Sequence, residues 1–408
     1  MLDGIVKRRI LVMPDGNWLA HTSRPFEIAK VLRDMGHDVV FAGEGYYMKL
    51  PREKGFQVIP IKTLDPNTAL TRSRSGRVNW FYYEFIKQCV EEELKLFDNV
   101  RPDLVLTDFR LTLSTSCELS AILLAVILNA SWTNFYDVKI EAPEHFIVTP
   151  MLGKRIATWF APWIKSFIVT YDSLPFRRFR GEKGLSLRKN IWDIWRGDLN
   201  LIADIPEYGP TKNLPSNFHY IGPIIWEPEM EISDWLEKLN PEKPIIYFTM
   251  GSTGFARFFN QAIEIFGNSK YQCIITTAGM VYLTEIPENF FVIDYAPGSK
   301  IMEKSDLVVC HGGNGTIYQA MSKGVPIIGI PTMPDQEFNL DRVEALGIGI
   351  HLSELKFKPS HLVEAVEKIL SQKSYKENAL SYKQILEKYN GPQNGAELIE
   401  SFLKRKLC

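Results

Sequence analysis

The stretch Asp306–Arg342 reads D-L-V-V-C-H-G-G-N-G-T-I-Y-Q-A-M-S-K-G-V-P-I-I-G-I-P-T-M-P-D-Q-E-F-N-L-D-R. Its apolar run Leu307–Cys310 has the length and composition of a buried strand. His311-Gly312-Gly313-Asn314-Gly315-Thr316 then supplies a turn in which backbone can approach a ligand closely. Ile317–Lys323 continues as a helix that Gly324 and Pro326 close. Val325–Ile330 is a second buried strand, and Pro331–Gln336 is expected to be a loop at its carboxyl end. A glycine turn feeding a helix start gathers unpaired N–H groups and the positive end of the helix dipole, which makes an anion site. A phosphate-bearing ligand is expected there, with Asp335 and Gln336 near its polar end.

Outward from this stretch the same alternation recurs. Arg9–Met13 is a compact strand, and Pro14-Asp15-Gly16-Asn17 is turn chemistry. From Thr22 the residues Phe26, Ile28, Ala29, Leu32 and Met35 recur at helical spacing until Gly36, and His37–Ala42 is the next strand. Strand, helix, strand in that order is a βαβ unit with a parallel sheet. Val58–Ile61, Leu104–Thr107, Leu123–Leu128 and Leu199–Ile205 add strands, and Asn79–Phe97 a long helix. A second series starts at Pro244, with strand Ile245–Met250, loop Gly251-Ser252-Thr253-Gly254, helix Phe258–Phe266, and strands Cys273–Thr277 and Phe290–Ile293. Gly222-Pro223, Pro228 and the acidic residues that follow mark a linker. The expected organisation is a first domain over 1–216, a linker over 217–240, a second domain over 241–385, and a terminal helix in 386–408 packing back on the first domain. The predicted fold class is α/β, two doubly wound Rossmann-like domains facing across a cleft. Ligands in such sheets sit beyond the carboxyl ends of the strands. His21, Asp108, Gly251, Ser252, Thr253, Tyr295, His311 and Asp335 all fall there.

Composition narrows the function further. With 408 residues and a net charge of −1, the chain has no global field to recruit nucleic acid. The five cysteines are scattered with no CxxC, against a disulfide framework or a cysteine zinc site and for a reducing compartment. No apolar leader opens the sequence, and the longest apolar run, Leu119–Ala130, is shorter than the about 20 residues a bilayer span needs. A soluble, cytoplasmic protein is expected. Residues 151–200 differ in character, with ten Lys or Arg against four Asp or Glu, interleaved with Trp159, Phe160, Trp163, Phe167, Trp192 and Trp195. The favoured reading is half-buried core with solvated charge. The other is an acceptor-pocket wall, with Trp159, Trp163 and Phe167 at helical spacing, resting on an anionic membrane surface.

The run H-G-G-N-G-T, then G-V-P, then P-x-x-x-D-Q resembles the donor-binding signature of the UDP-glycosyltransferase and macrolide-glycosyltransferase family, nucleotide-sugar enzymes of GT-B fold. Weaker matches run along the chain: P-D-G-N-W-L-A-H, T-D-F, Y-I-G-P, T-M-G-S and Y-A-P-G. The resemblance implies that His311 and the backbone of Gly313, Asn314, Gly315 and Thr316 hold a diphosphate, facing a loop of Gly251, Ser252 and Thr253. It implies that Tyr295, with Ala296 beside it, stands where the family often stacks a Trp on the base, and that Asp335 and Gln336 bind sugar hydroxyls. Gln319 occupies the place of a frequent ribose-binding Glu, and Gly298 that of a frequent Gln. His21 would be the general base and Asp108 its partner.

The chemistry fits these roles. A hydroxyl attacking an anomeric carbon needs a base poised near neutral pH, and a carboxylate on the imidazole's other nitrogen fixes its tautomer. With no Asp-x-Asp motif, the helix N-terminus and His311 are left to absorb the leaving group's charge. The expected function is an inverting, metal-independent transfer of a hexose, glucose first, from a UDP-sugar (alternatively a dTDP-sugar) to a hydroxyl of an apolar or aromatic small molecule. The sugar nucleotide is a substrate, so no cofactor is implied. The alternatives are a nucleotide-sugar epimerase or hydrolase on the same fold, and a non-catalytic donor-binding auxiliary protein.

Overall fold

The computed structural model describes residues 6–65, 81–139, 141–144, 148–230, 234–251, 255, 257–279 and 281–407. The chain divides into two compact units. One comprises Met1–Lys139, Phe160–Trp226 and Tyr389–Cys408, the other Ile140–Trp159 and Glu227–Lys388. Residues 140–159 thus belong with the second unit, inside the stretch expected for the first domain.

In the first unit the strands are β1 (Arg9–Pro14), β2 (Asp38–Ala42), β3 (Gln57–Ile59), β4 (Leu104–Asp108), β5 (Leu123–Leu128), β6 (Leu199–Ile202) and β7 (Phe218–Tyr220). They form one sheet in the order 3-2-1-4-5-6-7, every described pair parallel. Central strands such as L-V-L-T-D and L-L-A-V-I-L are apolar almost throughout because both faces of a parallel sheet are covered. Leu11, Met13, Val105 and Val126 point to one layer with Phe176 and Phe179. Ile10, Val12, Leu104 and Leu106 point to the other, where Phe26 and Ile28 meet Ala396, Ile399, Phe402 and Leu403 of the helix Gly391–Leu407. Burying each of those larger side chains contributes about 1.5–3 kcal/mol, which holds the terminal helix on this sheet.

The second unit repeats the plan with β8 (Ile245–Thr249), β9 (Gln272–Thr276), β10 (Phe290–Ile293), β11 (Leu307–Cys310), β12 (Ile327–Gly329) and β13 (Gly349–His351). The order is β10-β9-β8-β11-β12-β13, again parallel. In each sheet the winding reverses once, between β1 and β4 and between β8 and β11. Loops leaving neighbouring strands diverge at such a point and open a crevice at the carboxyl edge.

Two boundaries move in ways that matter for function. The first helix runs Leu19–Asp34, so His21 lies in its first turn and not in a loop before it. Pro25 sits inside that helix and has no N–H to return to the His21 carbonyl. The expected Pro331–Gln336 loop ends early, because a helix begins at Pro334 and runs to Ala345. Proline at the first helical position and acidic Asp335 and Glu337 in the first turn are favourable starting signals that the apolar periodicity did not register.

Candidate active site

In the first unit, register pairs Pro14 of β1 with Asp108 of β4, so both strands end level at the switch point. The chain leaving β1 turns through Asp15–Asn17 into the helix that carries His21. The chain leaving β4 starts with Phe109 in the left-handed region at φ 62°. A bulky residue rarely adopts that conformation, and it persists where the surroundings hold it. Those surroundings are visible on both sides. Asp108 accepts from His21, with Nδ1 to Oδ1 at 2.8 Å. Arg110 donates to buried Glu93 at 2.7 Å, and Thr112 and Ser116 complete that carboxylate's shell. Clamped between them, the Phe109 ring stacks on the His21 imidazole at 4.6 Å and 15°. Trp132 and Trp195 pack edge-on against the same ring, and Trp192 packs against Trp132.

Asp108 is fully buried and has a further partner, a guanidinium, that the sequence reading missed. Arg24 donates through Nε to Oδ2 at 2.7 Å and through Nη2 to Oδ1 at 3.0 Å, while its Nη1 reaches Asn129 at 2.7 Å. Asn129 is itself held by Asp204. The signal was present, since Arg24 follows His21 by three residues and so shares its helix face. A buried carboxylate gripped by a guanidinium fork has little rotational freedom. His21 is therefore oriented by a carboxylate that is itself fixed. Asp15, buried beside them, has its carboxyl pushed above the usual range by that burial, against the lowering effects of Asn17, His21 and Arg110.

In the second unit, Met250-Gly251 follows β8 and His311-Gly312-Gly313 follows β11, on either side of that sheet's reversal. Gly313 is the N-cap of the helix Asn314–Lys323 and supplies no side chain to cap it. Among the described residues the N–H groups of Gly315 and Thr316 in that helix's first turn have no backbone partner, an arrangement that suits an anion. His311 packs tightly between two glycines. A Cβ on Gly251 would lie 2.6 Å from its Cε1, and one on Gly313 would lie 2.6 Å from its Nε2. Burial lowers the imidazole's pKa from 6.5 to about 4, so at neutral pH His311 offers an N–H and not a positive charge. Its Nδ1 is buried with no hydrogen-bond partner among the described residues. Asn339, from the helix Pro334–Ala345, donates to the Gly312 carbonyl at 3.0 Å and ties the glycine turn to that helix. Asp335 is exposed in the helix's first turn, whereas Gln336 is buried and its Oε1 accepts from Thr332 N at 2.8 Å and Thr332 Oγ1 at 3.0 Å. Tyr295 is exposed after β10, its hydroxyl donating to the Ala278 carbonyl at 2.9 Å, and Ala296 is half-buried beside it. Ser252 and Thr253 lie outside the described residues.

Comparison with known proteins gives matches of three kinds: a family model, curated relatives and solved structures. Residues 270–399 match the model of the erythromycin biosynthesis protein CIII-like C-terminal domain. A PGL/p-HBAD biosynthesis glycosyltransferase of Mycobacterium tuberculosis (strain ATCC 25177 / H37Ra) is 32% identical over 377 residues, 91% of this chain and 87% of that protein. A PGL/p-HBAD biosynthesis rhamnosyltransferase of Mycobacterium bovis (strain BCG / Pasteur 1173P2) is 32% identical over 375 residues, 91% of this chain and 83% of that one. The chain belongs to the macrolide and UDP-glycosyltransferase family. It is a glycosyltransferase. The GT-B fold is shared with the solved spinosyn rhamnosyltransferase SpnG complexed with thymidine diphosphate, at TM-score 0.69 and 16% identity over 97% of this chain and 99% of that one.

This glycosyltransferase departs from the family pattern at Gln319, and the structure gives the physical context. Gln319 Nε2 donates to Glu227 Oε1 at 3.1 Å. The same oxygen accepts from Ser299 N at 2.6 Å, and Oε2 accepts from Ser299 Oγ. A carboxylate thus stands beside position 319 without being carried by it. A Glu at 319 would set two carboxylates against each other, whereas the amide donates to the one already there. Glu227 comes from the expected linker, where nothing in the sequence marked it as a site residue.

Proposed function

We propose that this glycosyltransferase transfers a hexose from a nucleoside diphosphate sugar to a hydroxyl of an apolar or aromatic acceptor, with inversion, using His21 as base. The acceptor O–H proton passes to His21 Nε2, the oxygen bonds to the anomeric carbon, and the bond from that carbon to the diphosphate oxygen breaks with its electron pair on the leaving group. The observation that carries this reading is the Nδ1–Oδ1 contact of 2.8 Å between His21 and Asp108. It fixes the proton on Nδ1, frees Nε2 to accept, and holds a negative charge against the imidazolium that forms. The aromatic group Phe109, Trp132, Trp192 and Trp195 beside the base suits an apolar acceptor. The indole N–H groups of Trp192 and Trp195, buried and unpartnered among the described residues, are ready donors to a polar substituent on it.

On the donor side, the uncapped helix at Gly313 and the N–H of His311 would receive the diphosphate, and Asp335 the sugar hydroxyls. We favour a dTDP-6-deoxyhexose such as dTDP-rhamnose over the UDP-glucose first expected. One relative is named a rhamnosyltransferase and one solved neighbour holds thymidine diphosphate. The uncharged Gln319, engaged with Glu227, also has less to offer the 2′,3′-diol that distinguishes UDP. The test pairs a panel of dTDP- and UDP-sugars with phenolic and lipid acceptors, read by mass spectrometry, in the wild type and in His21→Ala. Transfer should fall by several orders of magnitude in the variant while donor affinity is kept. Wild-type transfer by His21→Ala would remove the base assignment, and turnover of donor without acceptor would favour a hydrolase.

A further inference from the structure

The helix Lys154–Tyr171 presents its side chains the wrong way round for a protein surface. At about 100° per residue, Ile156, Trp159, Phe160, Trp163, Phe167 and Tyr171 fall within a sector of about 120°. All six are exposed, with Trp159 at 71%, Trp163 at 75% and Phe167 at 69% of their full accessible area. The buried positions on the other side are Ala157, Ala161 and Val169. An amphipathic helix packed on a core buries its large apolar residues and exposes small or polar ones. Here the small residues face inward. The favoured reading of this segment as half-buried core therefore fails for this helix, although it holds for Trp195, which is buried. The helix-spaced triplet needed a tertiary structure to show which face it was on.

We infer that this aromatic face seats on an anionic lipid surface. Tryptophan and tyrosine favour the boundary between headgroups and acyl chains, where the ring is buried and its polar edge stays wet. From Lys154 to Arg180 the chain carries six Lys or Arg and a single acidic residue, Asp172. Asp172 is buried, so it presents no opposing charge at the surface. Arg155, exposed, and Arg177, half-exposed, make no ion pair among the described residues and are free to meet lipid phosphate, whereas Lys165 is half-buried on the opposite side of the helix, between Ala161 and Val169. A second copy of the chain is the weaker occupant. A two-fold contact across this face would set one basic rim against another. The helix lies in the interface and does not span it, since no described helix is long and apolar enough to cross a membrane. This inference stands apart from the donor, acceptor and base assignments.

The experiment is flotation of the full chain with vesicles of phosphatidylcholine alone and of phosphatidylcholine with phosphatidylserine. Binding is expected to the mixed vesicles, to weaken severalfold in high salt, and to be at least tenfold weaker in Trp159→Ser/Trp163→Ser/Phe167→Ser. Because these side chains are exposed, the variant should keep the wild-type circular dichroism and melting temperature, which separates lost binding from lost fold. A second variant, Arg155→Gln/Arg177→Gln, should lose binding to the anionic vesicles while its fold is equally intact. Absence of wild-type binding to either vesicle overturns the inference, as does equal binding by the triple variant. A wild-type dimer in light scattering that the triple variant converts to monomer, with no vesicle binding by either, assigns the face to self-association instead.

Discussion

Acid should destabilise this protein through His311, and the size of the effect follows from its surroundings. Burial lowers its pKa from 6.5 to about 4. Below pH 6.5 the unfolded chain takes up a proton at this residue that the folded chain refuses until about pH 4. The contribution is thus fully present above 6.5 and is lost as the pH falls through that window. At about 1.4 kcal/mol per pH unit the full loss is about 3 kcal/mol, of which about 2 kcal/mol has been spent by about pH 5. Urea unfolding of wild type and His311→Gln at about pH 7.5 and about pH 5 isolates the His311 contribution, because the two proteins share every other titratable group. The wild type should lose about 2 kcal/mol more than the variant over that interval. Saturating thymidine diphosphate should flatten the difference, since a phosphate beside the imidazole favours its charged form. Parallel pH profiles for the two proteins would refute the reasoning, because they would mean that His311 meets water or a partner in the folded state.

Arg24→Met should destabilise the first unit by about 3–5 kcal/mol, because it leaves the buried Asp108 carboxylate without its guanidinium. Adding Asp108→Asn should recover part of that loss, and a double-mutant cycle by chemical denaturation reads the coupling. Gln319→Glu should lower the second unit's stability by about 1–3 kcal/mol in thermal denaturation, since the bond to Glu227 becomes a carboxylate–carboxylate contact. An unchanged melting temperature would show that Glu227 does not set the residue type at 319. Gly313→Ala keeps an ordinary backbone, at φ −65°, but puts a Cβ 2.6 Å from His311 Nε2. It should fold and yet bind nucleoside diphosphate at least tenfold more weakly by titration calorimetry. Wild-type affinity in that variant would remove His311 from the donor site.

Much of the molecule was legible in its sequence because the signals were local. The apolar runs at Leu104–Asp108 and Leu307–Cys310 and the glycine turn at His311–Thr316 specify strands and a strand-to-helix turn whatever surrounds them. The Gly222–Pro228 punctuation lies where the chain passes from one compact unit to the other, at Trp226 and Glu227. His21 and Asp108 were paired in advance by the family resemblance, and the structure shows the sheet bringing the ends of the first and fourth strands side by side. Helix starts were less legible. His21 and Asp335 were set in loops, because polar first-turn residues carry no apolar periodicity.

Sequence alone therefore determined the α/β architecture and the glycine turn, since each rests on a short-range pattern, and the family resemblance singled out His21 and Asp108 as the candidate base and its carboxylate. Tertiary structure decided what else touches those groups. The Arg24 grip on Asp108, the Phe109 ring under His21, the burial that keeps His311 neutral and the Glu227 carboxylate beside Gln319 all join residues distant in sequence. The same holds for the outward turn of Trp159, Trp163 and Phe167. Periodicity places side chains on one face of a helix, but only packing against the rest of the chain selects the face that meets water.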